Sequence, residues 1–120
     1  MNITLENVNE NDTHTTTGPT VRFDVVDNST AAVRFALTID EETHVNYPPQ
    51  KTGAPTAVEH TLDLGVHPAS VVIAAHDLDG RRAYDMSITV NGESVVRAEG
   101  TIPDGSTEDA DLALFQLRVR

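Results

Sequence analysis

The feature that most constrains this chain is an apolar–polar alternation of period two that recurs along most of its length. Val21, Phe23 and Val25 alternate with Arg22 and Asp24, and Val33, Phe35, Leu37 and Ile39 with Arg34, Ala36 and Thr38. Val58, Leu62 and Leu64 share a face with His60, opposite Glu59, Thr61 and Asp63, while Tyr84, Met86, Ile88 and Val90 alternate with Asp85, Ser87 and Thr89. Successive strand side chains point to opposite faces, so each segment has one dry and one wet side. That pattern fits antiparallel sheets packed on one face.

Other segments complete the reading. Val71-Val72-Ile73-Ala74-Ala75 is apolar on both faces and is expected as a central strand. Leu112, Leu114, Leu117 and Val119 mark a last strand, whose change of face near Phe115 suits a bulge. Ile3 and Leu5 suggest a short opening strand within residues 2–6. No segment gives a clear amphipathic helix, residues 110–117 alone being ambiguous between helix and strand. About seven or eight short strands in one chain of 120 residues predict an all-β, immunoglobulin-like antiparallel β-sandwich, with a small jelly roll or barrel as the alternative. Residues 20–120 are read as one sandwich domain and residues 1–19 as a polar N-terminal arm, its stretch 9–19 rich in Asn and Thr.

Turn chemistry sets the expected connections. Asn28-Ser29 and Asp77-Leu78-Asp79-Gly80 separate strands, and Asn91-Gly92 is a strong hairpin signal. A two-residue Asn91-Gly92 loop sets Met86 opposite Arg97. A three-residue Val90-Asn91-Gly92 loop sets Met86 opposite Val96 and Asp85 opposite Arg97, and is preferred because it keeps one face apolar. Residues 40–56 and 103–111 read as loops, the former long enough to suggest a function.

Charge limits the function. The formal net charge is -11, with 19 acidic against 8 basic residues, and Lys51 is the sole lysine. In dilute buffer such an excess opposes compaction, whereas at molar salt the Debye length falls to about 3 Å and the repulsion is screened. No basic patch is present to displace counterions, which argues against nucleic acid as a partner. Without cysteine there is neither a disulfide framework nor a thiolate metal site. No apolar run is long enough for membrane insertion as a helix. The start, Met1-Asn2-Ile3-Thr4-Leu5-Glu6, has no secretory signal pattern.

The search for chemistry returns little. His14, His44, His60, His67 and His76 show no metal-ligand spacing, and His60 reads as a packed or half-buried strand histidine. Asp77-Leu78-Asp79-Gly80 opens like a calcium loop, but Met86 stands where the terminal glutamate belongs, so a plain turn is the better reading. There is no Gly-x-Ser-x-Gly elbow, no phosphate loop and no distinct carboxylate pair. The expectation is a protein without enzymatic activity or cofactor. For partner contacts, Tyr47 followed by Pro48 and Pro49, with Lys51 nearby, forms a stiffened segment suited to docking. Asn2-Ile3-Thr4, Asn11-Asp12-Thr13 and Asn28-Ser29-Thr30 match the glycosylation sequon and hint at exposure.

Many Asp and Glu, one lysine, and much Ala, Val and Thr resemble proteins of salt-in halophiles, the haloarchaea above all. With its sandwich, arm and loop, the chain resembles virion proteins of tailed viruses of halophiles: capsid decoration, tail or adaptor proteins. That resemblance implies a structural subunit made in the cytoplasm and carried in the virion, bound to other protein subunits or to copies of itself. It rests on architecture and composition over residues 20–120, with no diagnostic motif. The alternative resemblance is to a haloarchaeal cell-surface or secreted adhesion domain whose signal peptide has been removed.

Overall fold

The computed structural model describes residues 1–47 and 57–120. Its strands are β1 (Ile3–Leu5), β2 (Thr13–Thr16), β3 (Thr20–Asp27), β4 (Ala32–Ile39), β5 (Glu42–Tyr47), β6 (Ala57–Thr61), β7 (Gly65–His76), β8 (Ala83–Val90), β9 (Glu93–Thr101) and β10 (Glu108–Val119). They form two five-stranded sheets, β1-β9-β8-β3-β6 and β2-β10-β7-β4-β5. Packed together these make the expected all-β sandwich, with ten strands among the described residues rather than seven or eight.

The alternation explains the core. Val21, Phe23, Met86, Ile88 and Val90 from the first sheet meet Val33, Phe35, Leu37, Ile39, Val71, Ile73 and Leu117 from the second, and all are buried. In the second sheet β2 runs parallel to β10, and the other neighbours pair antiparallel. The first sheet has its own order, because the β8–β9 hairpin lies between β1 and β3. From β3 to β10 the connections β4–β5 and β8–β9 stay within one sheet, and the others cross from sheet to sheet.

Both regular hairpins use one device. In β8–β9, a two-residue loop of Asn91 (φ 47°) and Gly92 (φ 86°) joins Val90 to Glu93, and Thr89 pairs with Ser94. The register then slips so that Ile88 pairs with Val96 and Met86 with Ala98, leaving Val95 as an extra residue. The preferred three-residue register is thereby corrected. A bulge absorbs the mismatch instead, and Val95 and Val96 are both buried. In β4–β5, Asp40 and Glu41 form the loop, Ile39 pairs with Glu42 and Thr38 with Thr43, and the slip follows at His44.

Three other expectations change. The stretch 9–19 is no free arm. Asn9 folds the turn by accepting from the Asn11 and Thr13 amides, and β2 then pairs with β10 from Thr13 opposite Gln116 to Thr16 opposite Val119. Residues 42–47 of the expected loop are strand β5. Finally, β10 pairs with β7 in one unbroken register from Glu108–His76 to Val119–Gly65, so Phe115 carries no bulge. Phe115, Leu117 and Val119 face the core, and Leu112 and Leu114 face solvent.

Candidate functional site

The unbroken β7–β10 register determines which side chains look outward from the second sheet. On β10 these are Glu108, Ala110, Leu112, Leu114, Gln116 and Arg118; on β7, Val66, Pro68, Ser70, Val72, Ala74 and His76; on β4, Ala32, Arg34, Ala36 and Thr38. Leu112 is directly opposite Val72, which is opposite Ala36. Leu114 is 66% exposed, Leu112 54% and Val72 49%, so the middle of the face is an apolar patch in water, with half-exposed Val66 toward its end beside Arg118. In a chain of such negative charge, Glu108 is the sole acidic residue among these outward positions of β4, β7 and β10. Among the described residues Arg34 and Arg118 have no ion-pair partner.

The opposite face differs in kind. Asp24, Glu59, Asp85 and Glu99 point outward there, laced by Arg22 to Asp24 (3.0 Å) and Glu59 (3.9 Å), and by Arg97 to Glu99 (3.1 Å) and Asp85 (3.3 Å). Arg97 does meet Asp85 as the sequence suggests, but diagonally, since Asp85 lies directly opposite Glu99. Acid neighbours hold both guanidiniums more firmly protonated: for Arg22 chiefly the hydrogen bond to Asp24, for Arg97 chiefly that to Glu99.

A second cluster lies at the end of the sandwich that carries the β4–β5 turn. Asp40, Glu42, Thr61, Leu62, Asp63 and His67 line an open cleft. His67 Nδ1 is 2.6 Å from Asp40 Oδ2, and Nε2 is 2.7 Å from the Asp63 carbonyl oxygen. Both neighbours are acceptors, so the ring satisfies both only as an imidazolium donating from each nitrogen. The Asp63 carbonyl first, then the Asp40 carboxylate, raise its pKa above the usual histidine value. With both nitrogens engaged, the ring ties the β4–β5 turn to the β6–β7 connection.

The remaining motifs act locally. Asp77 Oδ1 accepts from the Gly80 amide at 2.8 Å and Oδ2 pairs with Arg82 at 3.2 Å, which is the plain turn expected from Asp77-Leu78-Asp79-Gly80. Arg82 also binds the carbonyls of Ile102, Pro103 and Ser106, holding the 103–107 turn. His60 is half-buried, its ring 6.1 Å from that of Phe23. His14 is fully buried; Nδ1 donates to the Asn7 carbonyl at 2.8 Å, and Nε2 has no partner among the described residues. No group of three His, Asp or Glu placed to hold a metal occurs among the described residues. The sequon residues Asn2, Asn11 and Asn28 are all exposed.

Of the partner-binding residues expected from sequence, Tyr47 is the last residue of β5, its backbone opposite Phe35, and Pro48, Pro49 and Lys51 lie outside the described residues. The outward patch on β10 is not evident from the sequence, where Leu112 and Leu114 mark the last strand without showing its face. A strict period of two counted back from Val119 puts both on the wet face, and the inferred bulge concealed that. No family model, no curated protein and no solved structure matches the chain.

Proposed function

We propose that this protein is a non-enzymatic structural subunit, suited to concentrated salt, that binds other protein subunits through the outer face of β4, β7 and β10. The observation that carries this reading is the division of charge between the two faces. One is acidic and covered by its own ion pairs, while the other holds exposed Leu112, Leu114 and Val72 with a single acid. Contiguous apolar patches on a soluble domain mark interaction sites, and screening by salt removes the repulsion that would otherwise keep such acidic subunits apart.

Within that class the reading extends to a virion subunit of a halophilic virus, a decoration, tail or adaptor protein. It draws support from the halophile-like composition and the two-sheet sandwich. The alternative, a haloarchaeal surface or secreted adhesion domain, is favoured by the exposure of all three sequon asparagines. Mass analysis of the native protein separates the two: glycan on Asn2, Asn11 or Asn28 selects the surface reading. The general reading is tested by circular dichroism between roughly 0.1 and 3 M KCl, the range over which screening changes most. A strand signal that grows with salt is expected; full folding at the lowest salt would remove the halophile element.

A further inference from the structure

The outer face of β4, β7 and β10 has a self-complementary layout. Its midline follows the register row Ala113 on β10, Val71 on β7 and Leu37 on β4, whose own side chains face the core and whose strand neighbours face outward. A two-fold axis along that row lays a second copy on the first with each strand antiparallel to its own counterpart. Leu112 then lies over Leu114 of the second copy, Ala110 over Gln116, and Val72 over Ser70. At the ends of β10, Glu108 lies toward Arg118 of the second copy, at both ends by symmetry. The face therefore places apolar groups at the centre and opposite charges at the rim, as stable interfaces do. Packed sheets cross at roughly 30°, an offset that a Glu and an Arg side chain together bridge.

The size also fits. Strands β7 and β10 have 12 residues each. At about 3.3 Å per residue and about 4.8 Å between strands, three strands offer on the order of 500 Å² per copy. Two copies then bury about 1,000 Å², the least that a specific interface needs and the size of a weak, reversible one.

We propose that the partner of this face is a second copy of the same chain, docked face to face about the row Ala113–Val71–Leu37. This deepens, and rests on, the reading of the protein as a salt-adapted structural subunit. The isologous contact has two charge pairs on β10, so reversing one member of the pair breaks both and reversing both members restores both.

The test is sedimentation equilibrium of the full chain and four variants, each first shown to fold by its strand signal. For wild type in 3 M KCl, a monomer–dimer equilibrium is expected. Leu114→Lys removes a central anchor and is expected to weaken dimerisation by about 30-fold or more. At the lowest salt that keeps the strand signal full, Glu108→Arg and Arg118→Glu each weaken dimerisation several-fold, and the double variant recovers it. A wild type that stays monomeric up to millimolar concentration overturns the two-fold dimer. So does a dimer indifferent to Leu114→Lys, or one whose charge reversals do not compensate. The reading on which it rests fails separately, by a strand signal that is independent of salt.

Discussion

Two single positions show how much of this fold hangs on one side chain. Gly100 lies opposite Tyr84, and a Cβ placed on it would come within 2.7 Å of the Tyr84 hydroxyl and 2.9 Å of its ring carbon. That hydroxyl donates to Asp109 at 2.8 Å, and burial, then the Asp109 contact, push the Tyr84 pKa up to about 12. Gly100→Ala is expected to displace the ring and cost roughly 1–3 kcal/mol as an overpacking change. Denaturant titration should show a much smaller loss when the same change is made in a Tyr84→Ala background. His67 is the second position. Its raised pKa means that its contribution is full below the unfolded histidine value near 6.5 and is lost as pH rises through the folded value. As pH rises above about 6.5, the midpoint of urea unfolding should fall more steeply for wild type than for His67→Gln, because the raised pKa keeps the imidazolium and its contacts only up to the folded value. Equal slopes would show that the imidazolium contacts to Asp40 and Asp63 contribute nothing.

At the level of elements, the two hairpins share one backbone plan and differ in how plainly the sequence announces it. Asn91-Gly92 is a recognised pair for two successive positive φ angles, and the turn was legible from it. Asp40 (φ 52°) and Glu41 (φ 67°) adopt the same handedness without glycine, so nothing in the sequence announces the turn into β5. An L-residue pays for that conformation by roughly 1 kcal/mol. Glu41→Gly is therefore expected to stabilise the protein by about 0.5–1 kcal/mol, and Gly92→Ala to destabilise it by a similar amount, both read as shifts of the unfolding midpoint. Neither bulge was legible, because Val95-Val96 offers two equally apolar residues and period alone cannot say which one is extra. β2 was hidden for another reason. Thr13, His14 and Thr16 are polar, and they are buried by pairing with β10 rather than by their own hydrophobicity.

For the molecule as a whole, the alternation gave the two-sheet sandwich and most of its core directly, since burial on one face leaves a period that survives without tertiary knowledge. The interaction face did not show itself in that way. A strand apolar on both sides, such as that of residues 71–75, reads as buried on both sides, yet Val72 is 49% exposed. The distinction lies in whether another layer covers the sheet, a property of the assembled fold. The uneven charge of the two faces has a measurable outcome. Leu112→Lys with Val72→Lys should leave the folded strand signal intact and lower retention on a hydrophobic-interaction column in high salt, because both side chains already meet water. The same substitutions on the acidic face, at Thr89 for example, should change retention far less.

The placement of β1 and β2 also bears on how the chain reaches its fold in time. Ile3–Leu5 is held by β9, and Thr13–Thr16 by the far end of β10, with the Thr13 hydroxyl bonded to Gln116 across 103 residues of sequence. Neither strand has a hydrogen-bonded neighbour until β9 or β10 exists. On a ribosome β1 must wait for β9 and β2 for β10, and the second sheet lacks one of its inner strands until residue 119 emerges. Such distant pairings close slowly. Refolding from denaturant is thus expected in milliseconds to seconds rather than microseconds, with the N-terminal strands ordering together with the C-terminal one.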